Sequence, residues 1–127
     1  MTWLRKFCLD PAGASAVEFA LILPVFCALT IGAINLCLVV YANSRLQYAV
    51  DDAARCESVK TTICTSSATT QTHAATTFGF AGLSPTFTAS PAVCGNQVVG
   101  SVTYPLSAVI TTISVPISAS SCFPIQG

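Results

Sequence analysis

The stretch ASAVEFALILPVFCALTIGAINLCLVVY, residues 14–41, decides the architecture of this chain. Within it, residues 19–41 form a run of 23 residues without a formal charge. At about 1.5 Å rise per residue, a helix of this length reaches about 34 Å, enough to cross a hydrocarbon core of about 30 Å. The run is also longer than the roughly 7–15 apolar residues of a cleavable secretory signal. It therefore predicts a single transmembrane helix.

Four residues in and beside this run shape the prediction. Glu18 directly precedes the run, and a carboxylate at that depth must be paired or lie close to an interface. Pro24 is expected to kink or loosen one helical turn. Ala28 and Gly32 form a small-xxx-small pair, which lets another helix approach closely. The Ala28–Gly32 pair weighs little because such pairs are common in apolar segments, but a carboxylate directly before the span favours a filament-forming or secretion-linked membrane subunit over an ordinary anchored protein.

The positive charges do not decide the orientation of the span. Arg5 and Lys6 precede it, but Arg45, Arg55 and Lys60 follow it, so the Lys/Arg count does not settle which side is cytoplasmic.

The cysteines decide the orientation better. Seven are present, and four of them lie beyond the span: Cys56, Cys64, Cys94 and Cys122. An even set in a small domain with few charges predicts two disulfides in an oxidising compartment, so the C-terminal part is placed outside and the N-terminal head in the cytoplasm. Four cysteines allow three connectivities, of which we favour Cys56–Cys64 with Cys94–Cys122. Zinc binding is the alternative, but there is no CxxC pair and only one histidine, so no metal site is predicted.

Composition limits the part beyond the span to one small domain. The chain has 127 residues, of which only 8% are charged, and its formal net charge is zero. This excludes the basic footprint of a nucleic-acid-binding protein. Residues 61–127 contain no Asp, Glu, Lys or Arg. Such a surface suits a domain that packs against neighbours or is presented outside the cell, although a Thr/Ser-rich surface that is simply polar enough is the plainer alternative.

The first helix is expected to continue beyond the membrane. Residues 43–59, NSRLQYAVDDAARCESV, keep Leu46, Ala49, Val50 and Ala53 at helical spacing. Four charged residues of this segment are expected to fall mostly on the other side, a solvated face: Asp51, Asp52, Arg55 and Glu57.

A second helix and a small sheet are predicted after it. The helix covers Ser67–Phe78 and stops at Gly79. Strands are predicted over residues 85–90, 96–104 and 110–120, which are rich in Val, Ile, Thr and aromatics, and Pro116 is expected at a sheet edge or a strand start. The fold class is α+β: a long helix, a short helix and about three antiparallel strands.

Nothing in the sequence favours catalysis. His73 has no acidic residue close in sequence and is interpreted as a surface or packing histidine. Serines are plentiful, but no carboxylate follows Glu57 to orient a histidine in a hydrolytic triad. Asp51, Asp52 and Glu57 lie within seven residues on one helix, where they cannot enclose a substrate from two sides. No catalytic residue and no cofactor are predicted.

The junction GASAVEFALILP resembles the processing site of the TadE-like pseudopilins, minor pilin-like proteins of tight-adherence (Flp-type) pilus systems related to type IV pilins. The resemblance implies that a membrane aspartyl peptidase, the prepilin peptidase, cuts after Gly13 and makes Ala14 the new N-terminus. Glu18 is then the fifth residue after the cut, Phe19 is the aromatic that follows it, and Pro24 matches the family pattern VEFALVLP. The segment QYAVDDAARC and the terminal SCFP resemble the ectodomain of the same family.

The resemblance implies three regions: a cleaved cytoplasmic leader (residues 1–13), a transmembrane helix (14–41) and an extracytoplasmic head (42–127). The implied function is pilus biogenesis and surface adhesion from the cytoplasmic membrane. The implied partners are the peptidase, other pilins or pseudopilins, the assembly platform and membrane lipid, and no nucleic acid. The rival is a single-pass anchored interaction module that is never cleaved. The sequence leaves open whether the subunit is major or minor, whether Ala14 is methylated, which surface is recognised, and what Cys8 does.

Overall fold

In a computed structural model, the chain forms two α-helices followed by a three-stranded antiparallel sheet, which confirms the predicted α+β fold. The structure describes residues 11–60, 62–107 and 111–125. The elements are α1 (Pro11–Val59), α2 (Ser67–Phe78), β1 (Thr86–Ala92), β2 (Gly95–Ser107) and β3 (Thr112–Phe123). The first ten residues of the predicted leader, with Arg5, Lys6 and Cys8, lie outside the described residues.

The chain divides into two compact units, with the boundary between Leu36 and Cys37. The first unit contains the N-terminal part of α1, whose large apolar side chains are exposed. The second unit contains the rest of α1 together with α2 and the sheet, and it holds the buried core.

Helix α1 starts at Pro11. Proline suits a first helical turn, because the backbone N–H groups of that turn have no acceptor within the helix and proline lacks only such an N–H. The helix continues through Pro24. In its apolar part, polar side chains bond back to the helix itself: Thr30 Oγ1 donates to the carbonyl of Cys27 at 2.9 Å, and Asn35 Nδ2 donates to that of Ile31 at 3.0 Å. Such bonds satisfy polar groups on a helix that is otherwise apolar.

The second unit is built around the C-terminal part of α1. Leu46, Ala49, Val50 and Ala53 are fully buried, as their helical spacing predicts. The core combines this stripe with two more alanines of α1 and with residues of α2 and all three strands: Ala42, Ala54, Ala74, Phe78, Phe87, Val98, Val102, Tyr104, Ile117 and Ala119. Small residues allow the elements to approach closely.

One such approach is at Gly100 of β2. A Cβ atom there would lie 2.8 Å from Phe87 Cε1 and 3.1 Å from Leu46 Cδ1. The strand therefore has room for glycine but not for a larger residue without repacking.

Helix α2 has the predicted bounds because both of its ends are specified locally. Ser66 is the N-cap and forms a capping box with Thr69, in which each side chain accepts from the other residue's backbone N–H. Gly79 ends the helix in the left-handed conformation (φ 52°) and donates its N–H to the carbonyl of Ala75.

The Arg45 side chain of α1 is hydrogen-bonded to the C-terminus of α2. Its Nη2 donates to the carbonyls of Thr77 and Phe78 at 2.9 and 3.0 Å, and its Nε donates to Phe78 at 3.1 Å. A cation at the carbonyl end of a helix also interacts favourably with the helix dipole. This guanidinium thus links the two helices inside the second unit.

The sheet has the strand order β1-β2-β3, with antiparallel pairing throughout. Strand β2 pairs with β1 from Gly95 to Ser101, and with β3 over a longer range that reaches Ser107. Pro116 lies on the edge strand β3, as predicted, but inside the strand and opposite Thr103 rather than at its start. Pro105 lies in the central strand but beyond Ser101, the last residue of β2 that is paired with β1, so only β3 is its neighbour there. Proline is tolerated at such a position.

Two disulfides cross-link the second unit, and both are the pairs favoured in the sequence analysis. Cys56–Cys64 joins the end of α1 to the connection before α2, with a sequence separation of 8. Cys94–Cys122 joins the β1–β2 turn to β3, with a separation of 28. From loop length alone, the second bond is expected to stabilise the fold by about 3–4 kcal/mol and the first by about 2–3 kcal/mol.

The geometry of Arg45 leads to a stability prediction. Arg45→Lys removes the planar fork that serves two carbonyls, so we expect the second unit to lose about 1–3 kcal/mol in its free energy of unfolding. Arg55→Lys is the matched control, because Arg55 is exposed on the same helix and should change stability by less than about 0.5 kcal/mol. Urea unfolding of the full chain in detergent, followed by circular dichroism, measures both. Equal stability of the two variants would show that Arg45 is an ordinary surface residue.

Candidate functional site

The residues of the predicted processing junction all lie on α1. Gly13 and Ala14 are in its first turns, and Glu18 follows one turn after Ala14. Residues four apart share a helix face, so the backbone of Ala14 and the carboxylate-bearing position Glu18 lie on the same side of α1. Both positions therefore lie one turn apart, close to the N-terminal end of α1.

Glu18 is exposed and has no ion-pair partner among the described side chains. Its neighbours along the helix are apolar: Val17 is 61% exposed and Phe19 is 64% exposed. A carboxylate bordered by uncovered apolar surface is costly to bring into a bilayer or a helix bundle unless a cation meets it.

The apolar surface of α1 extends well beyond the junction. Large side chains on every side of the helix are exposed, for example Leu21 at 70% and Leu29 at 68%. None of its most apolar 18-residue window is buried. Within the described residues, α1 from Ser15 is the one helix long and apolar enough to cross a membrane, judged by length and composition. The prediction of a single span agrees with this.

Ala28 and Gly32 lie one turn apart on this exposed part of α1, as their spacing requires. Apart from the adjoining residues and the surrounding backbone of α1 itself, no described atom lies within 4 Å of the place where a Cβ of Gly32 would be. The pair thus leaves a shallow, uncovered strip of backbone, which is the surface that a second helix needs for a close approach.

Further along α1, the charged residues do not all lie on a solvated face. Asp51 and Arg55 are exposed, as predicted, but Asp52 and Glu57 are half-buried, which corrects that part of the prediction. An open groove of about 500 Å³ adjoins this segment. It is lined by Tyr48, Asp51, Asp52, Arg55, Ser121 and Phe123.

Asp52 is half-buried because it pairs with His73 of α2. Its Oδ2 lies 2.7 Å from His73 Nε2, and the two side chains are about one third exposed. The sequence interpretation of His73 as a residue without a nearby acid missed this pair. No local signal reveals it, because 21 residues separate the two positions and only the packing of α2 on α1 joins them.

Comparison with known protein families gives one match, and it falls on the segment just described. The model of the family described as TadE-like protein matches residues 13–55. No curated protein matches the chain. No solved structure matches it either.

The matched segment begins at Gly13 and includes Glu18, Phe19 and Pro24. It also includes most of the part of α1 that belongs to the second unit. The resemblance predicted from GASAVEFALILP and from most of QYAVDDAARC is therefore confirmed, because residues 13–55 match the model of the TadE-like family.

Proposed function

We propose that this chain is a structural subunit that acts in the assembly of tight-adherence pili after a prepilin peptidase has cut it behind Gly13. The observation that carries the proposal is the TadE-like match, which begins at Gly13 and runs along an exposed apolar helix. The role is one of packing and presentation rather than catalysis, and it requires no cofactor.

Cleavage serves assembly because it creates a charge. Removal of residues 1–13 leaves Ala14 with a free amino group at the start of α1, next to the exposed apolar surface. A peptidase at the cytoplasmic face of the membrane needs a residue that leaves the backbone accessible, and glycine has no side chain to obstruct it.

Glu18 supplies the opposite charge. In a bundle of such helices, the carboxylate of one copy accepts hydrogen bonds from the Ala14 ammonium of its neighbour. That pairing offsets the cost of withdrawing the carboxylate from water and sets the axial register of the two helices. The strip formed by Ala28 and Gly32 allows the same helices to approach closely further along.

The second unit is then presented outside the cytoplasm. Its two disulfides suit an oxidising compartment, and its surface after residue 60 contains no charged side chain. Such a unit contributes to surface adhesion either within the filament or at its tip. Other pilins or pseudopilins, the assembly platform and membrane lipid are the partners proposed for the chain.

The alternative is an anchored interaction module that keeps its leader. The mature N-terminus separates the two functions directly, since Ala14 is expected for the processed subunit, and Met1 or Thr2 for the anchor. Mass spectrometry of the protein isolated from membranes gives this result.

Gly13→Leu should block processing because a branched side chain occupies the position that must fit the peptidase. We expect nearly all of the protein to keep its leader, seen as slower migration on a gel and as an unprocessed N-terminus. Gly32→Leu makes the same change elsewhere on α1 and should be cut normally. Normal cutting of the Gly13 variant would contradict the cleavage site.

Glu18→Ala should leave processing intact and reduce pilus assembly. Losing one partner of a buried ion pair costs about 3–5 kcal/mol, so the number of assembled filaments should fall by about tenfold or more. Asp51→Asn removes a negative charge from an exposed position of the same helix and should assemble like the unchanged protein. Electron microscopy of sheared pili, with an immunoblot for processed subunit, measures both steps. Unchanged filament numbers for Glu18→Ala would contradict the pairing.

Gly32→Leu should weaken the association of two copies in a membrane. A leucine fills the strip beside Ala28 and removes a contact on the order of 1 kcal/mol, as is common for single contacts between membrane helices. Ala33→Leu is the matched control, because it adds bulk at the next position around the helix, which is also exposed. Energy transfer between labelled copies in liposomes gives the dimer fraction. Equal dimer fractions for the two variants would place the helix contact on another face.

A further inference from the structure

One end of the second unit overlaps the end of the uncharged run on α1. Val39 lies inside that run, which ends at Tyr41, yet Val39 is partly buried against the core of the second unit. Tyr41 is 54% exposed, and its ring centroid lies 5.7 Å from that of Phe80 in the connection after α2. The last turn of the run and the connection after α2 therefore share one level along α1.

Strand β2 reaches the same level from the opposite end of the unit. Near its start, Asn96 Nδ2 donates to Ser58 Oγ at 3.3 Å, close to the end of α1. Further on, the ring centroid of Tyr104 lies 6.4 Å from that of Phe80, which contacts Tyr41. At rises of about 3.3 Å per strand residue and about 1.5 Å per helix residue, Asn96 to Tyr104 and Ser58 to Tyr41 both cover about 26 Å. The strand and the helix therefore run side by side in opposite directions.

The sheet continues past Tyr104. Leu106 of β2 pairs with Ile113 of β3, two residues further along the strand. Leu106 is partly buried against the core, and Ile113 is 53% exposed. Two strand residues advance by about 6–7 Å. The pair therefore lies level with the last turn of the uncharged run, and not with the polar residues of α1 that follow Tyr41.

We infer that this end of the second unit lies in the interface of the lipid bilayer that α1 crosses. We call it the base, and we define it by Tyr41, Phe80, Leu106 and Ile113. The inference rests on the membrane span of the proposed function, because the end of that span at Tyr41 marks the boundary of the hydrocarbon core. Side chains held level with the last turn of the span meet the same lipid. The span is then not the only part of the chain that contacts lipid.

The base contains no charge that would oppose this placement. Residues 61–127 contain no Asp, Glu, Lys or Arg, so neither the connection after α2 nor the sheet brings one to the base. The first basic residue after the span is Arg45, and its guanidinium donates to the last carbonyls of α2. Tyrosine is enriched at membrane–water interfaces, because its ring is apolar and its hydroxyl group is polar. The base therefore matches the boundary between lipid tails and headgroups rather than a charged headgroup.

The backbone of the base also suits surroundings that are poor in water. Leu106 and Ile113 belong to an antiparallel ladder that continues to the pair of Ser107 and Thr112. The carbonyl of Phe78 at the end of α2 accepts from Arg45. Unpaired backbone groups are costly at membrane depth, and these groups are paired.

The opposite end of the unit provides the contrast for a test. Val93 lies there in the β1–β2 turn and is fully exposed. The turn is fixed by the disulfide between Cys94 and Cys122. By the rise of strand β2, it lies about 26 Å or more from the base. If the base meets lipid, Val93 is surrounded by water.

A tryptophan reporter measures which end meets lipid. Trp3 is the only tryptophan of the chain, so Trp3→Phe gives a full chain without this fluorophore. Three single changes are made in that background: Ile113→Trp in the base, Val93→Trp at the opposite end and Leu29→Trp in the span. All three positions are exposed, so the core is left as it is. Each chain is reconstituted in phosphatidylcholine vesicles with or without bromine atoms on the lipid tails, which quench an indole that they touch.

We expect brominated lipid to quench the indole strongly at position 29, clearly at position 113 and not at position 93. Phe80→Trp exchanges one aromatic for another at a second place in the base and should be quenched as well, so the result does not depend on Ile113 alone. Adding phosphatidylglycerol should leave the quenching at position 113 unchanged, because the base carries no charge. Circular dichroism of each variant checks that the fold is kept.

Two results would overturn the inference while the span is kept. The first is quenching at positions 113 and 80 that is no stronger than at position 93, although Leu29→Trp is quenched. The second is an indole at position 113 whose emission shifts to shorter wavelength without quenching, since a second copy of the chain would then cover the base instead of lipid. Absence of quenching at position 29 would contradict the proposed span itself, and the inference with it. Cleavage at Gly13 is tested separately and is not affected by these outcomes.

Discussion

The second unit depends on one stripe of small and aliphatic side chains along α1. Leu46, Ala49, Val50 and Ala53 have no exposed surface, and the core of α2 and of all three strands meets them. The part of this unit after Lys60 contains no Asp, Glu, Lys or Arg, so burial and cross-links contribute most of its stability. The Arg45 fork and the two disulfides reinforce the contacts that the stripe begins.

Those parts of the fold that are encoded locally could be predicted from the sequence. Helix α2 has its predicted ends because Ser66 and Gly79 specify them within one turn. The strands were placed correctly but are longer than predicted. Strand β2 continues to Ser107 because β3 provides hydrogen-bond partners beyond the residues with a strong strand pattern. Strand length is set by the neighbour, which a single segment does not reveal.

The features of the candidate site also fall into two groups, those that local sequence predicts and those that depend on distant contacts. Gly13, Glu18 and Pro24 could be singled out because the roles proposed for them depend on spacing along one helix, which the sequence shows directly. The Asp52–His73 pair and the Arg45 fork depend on contacts between residues more than twenty positions apart, which arise only when α2 packs on α1. The sequence therefore predicts a mostly solvated face for the charged segment, although two of its carboxylates, Asp52 and Glu57, are half-buried.

The same helix places two carboxylates in opposite situations, and this separates their functions. Glu18 has no ion-pair partner among the described side chains and borders exposed apolar surface, and in the proposed function its charge pairs with another copy of the chain. Asp52 is engaged inside its own unit, where it orients His73 beside the Cys56–Cys64 disulfide. An exposed carboxylate that is taken out of water needs a cation to offset the cost of its desolvation, whereas a carboxylate that already pairs with an imidazole has its partner within the unit. Changes at Asp52 should therefore affect the second unit alone, and changes at Glu18 the contacts between subunits.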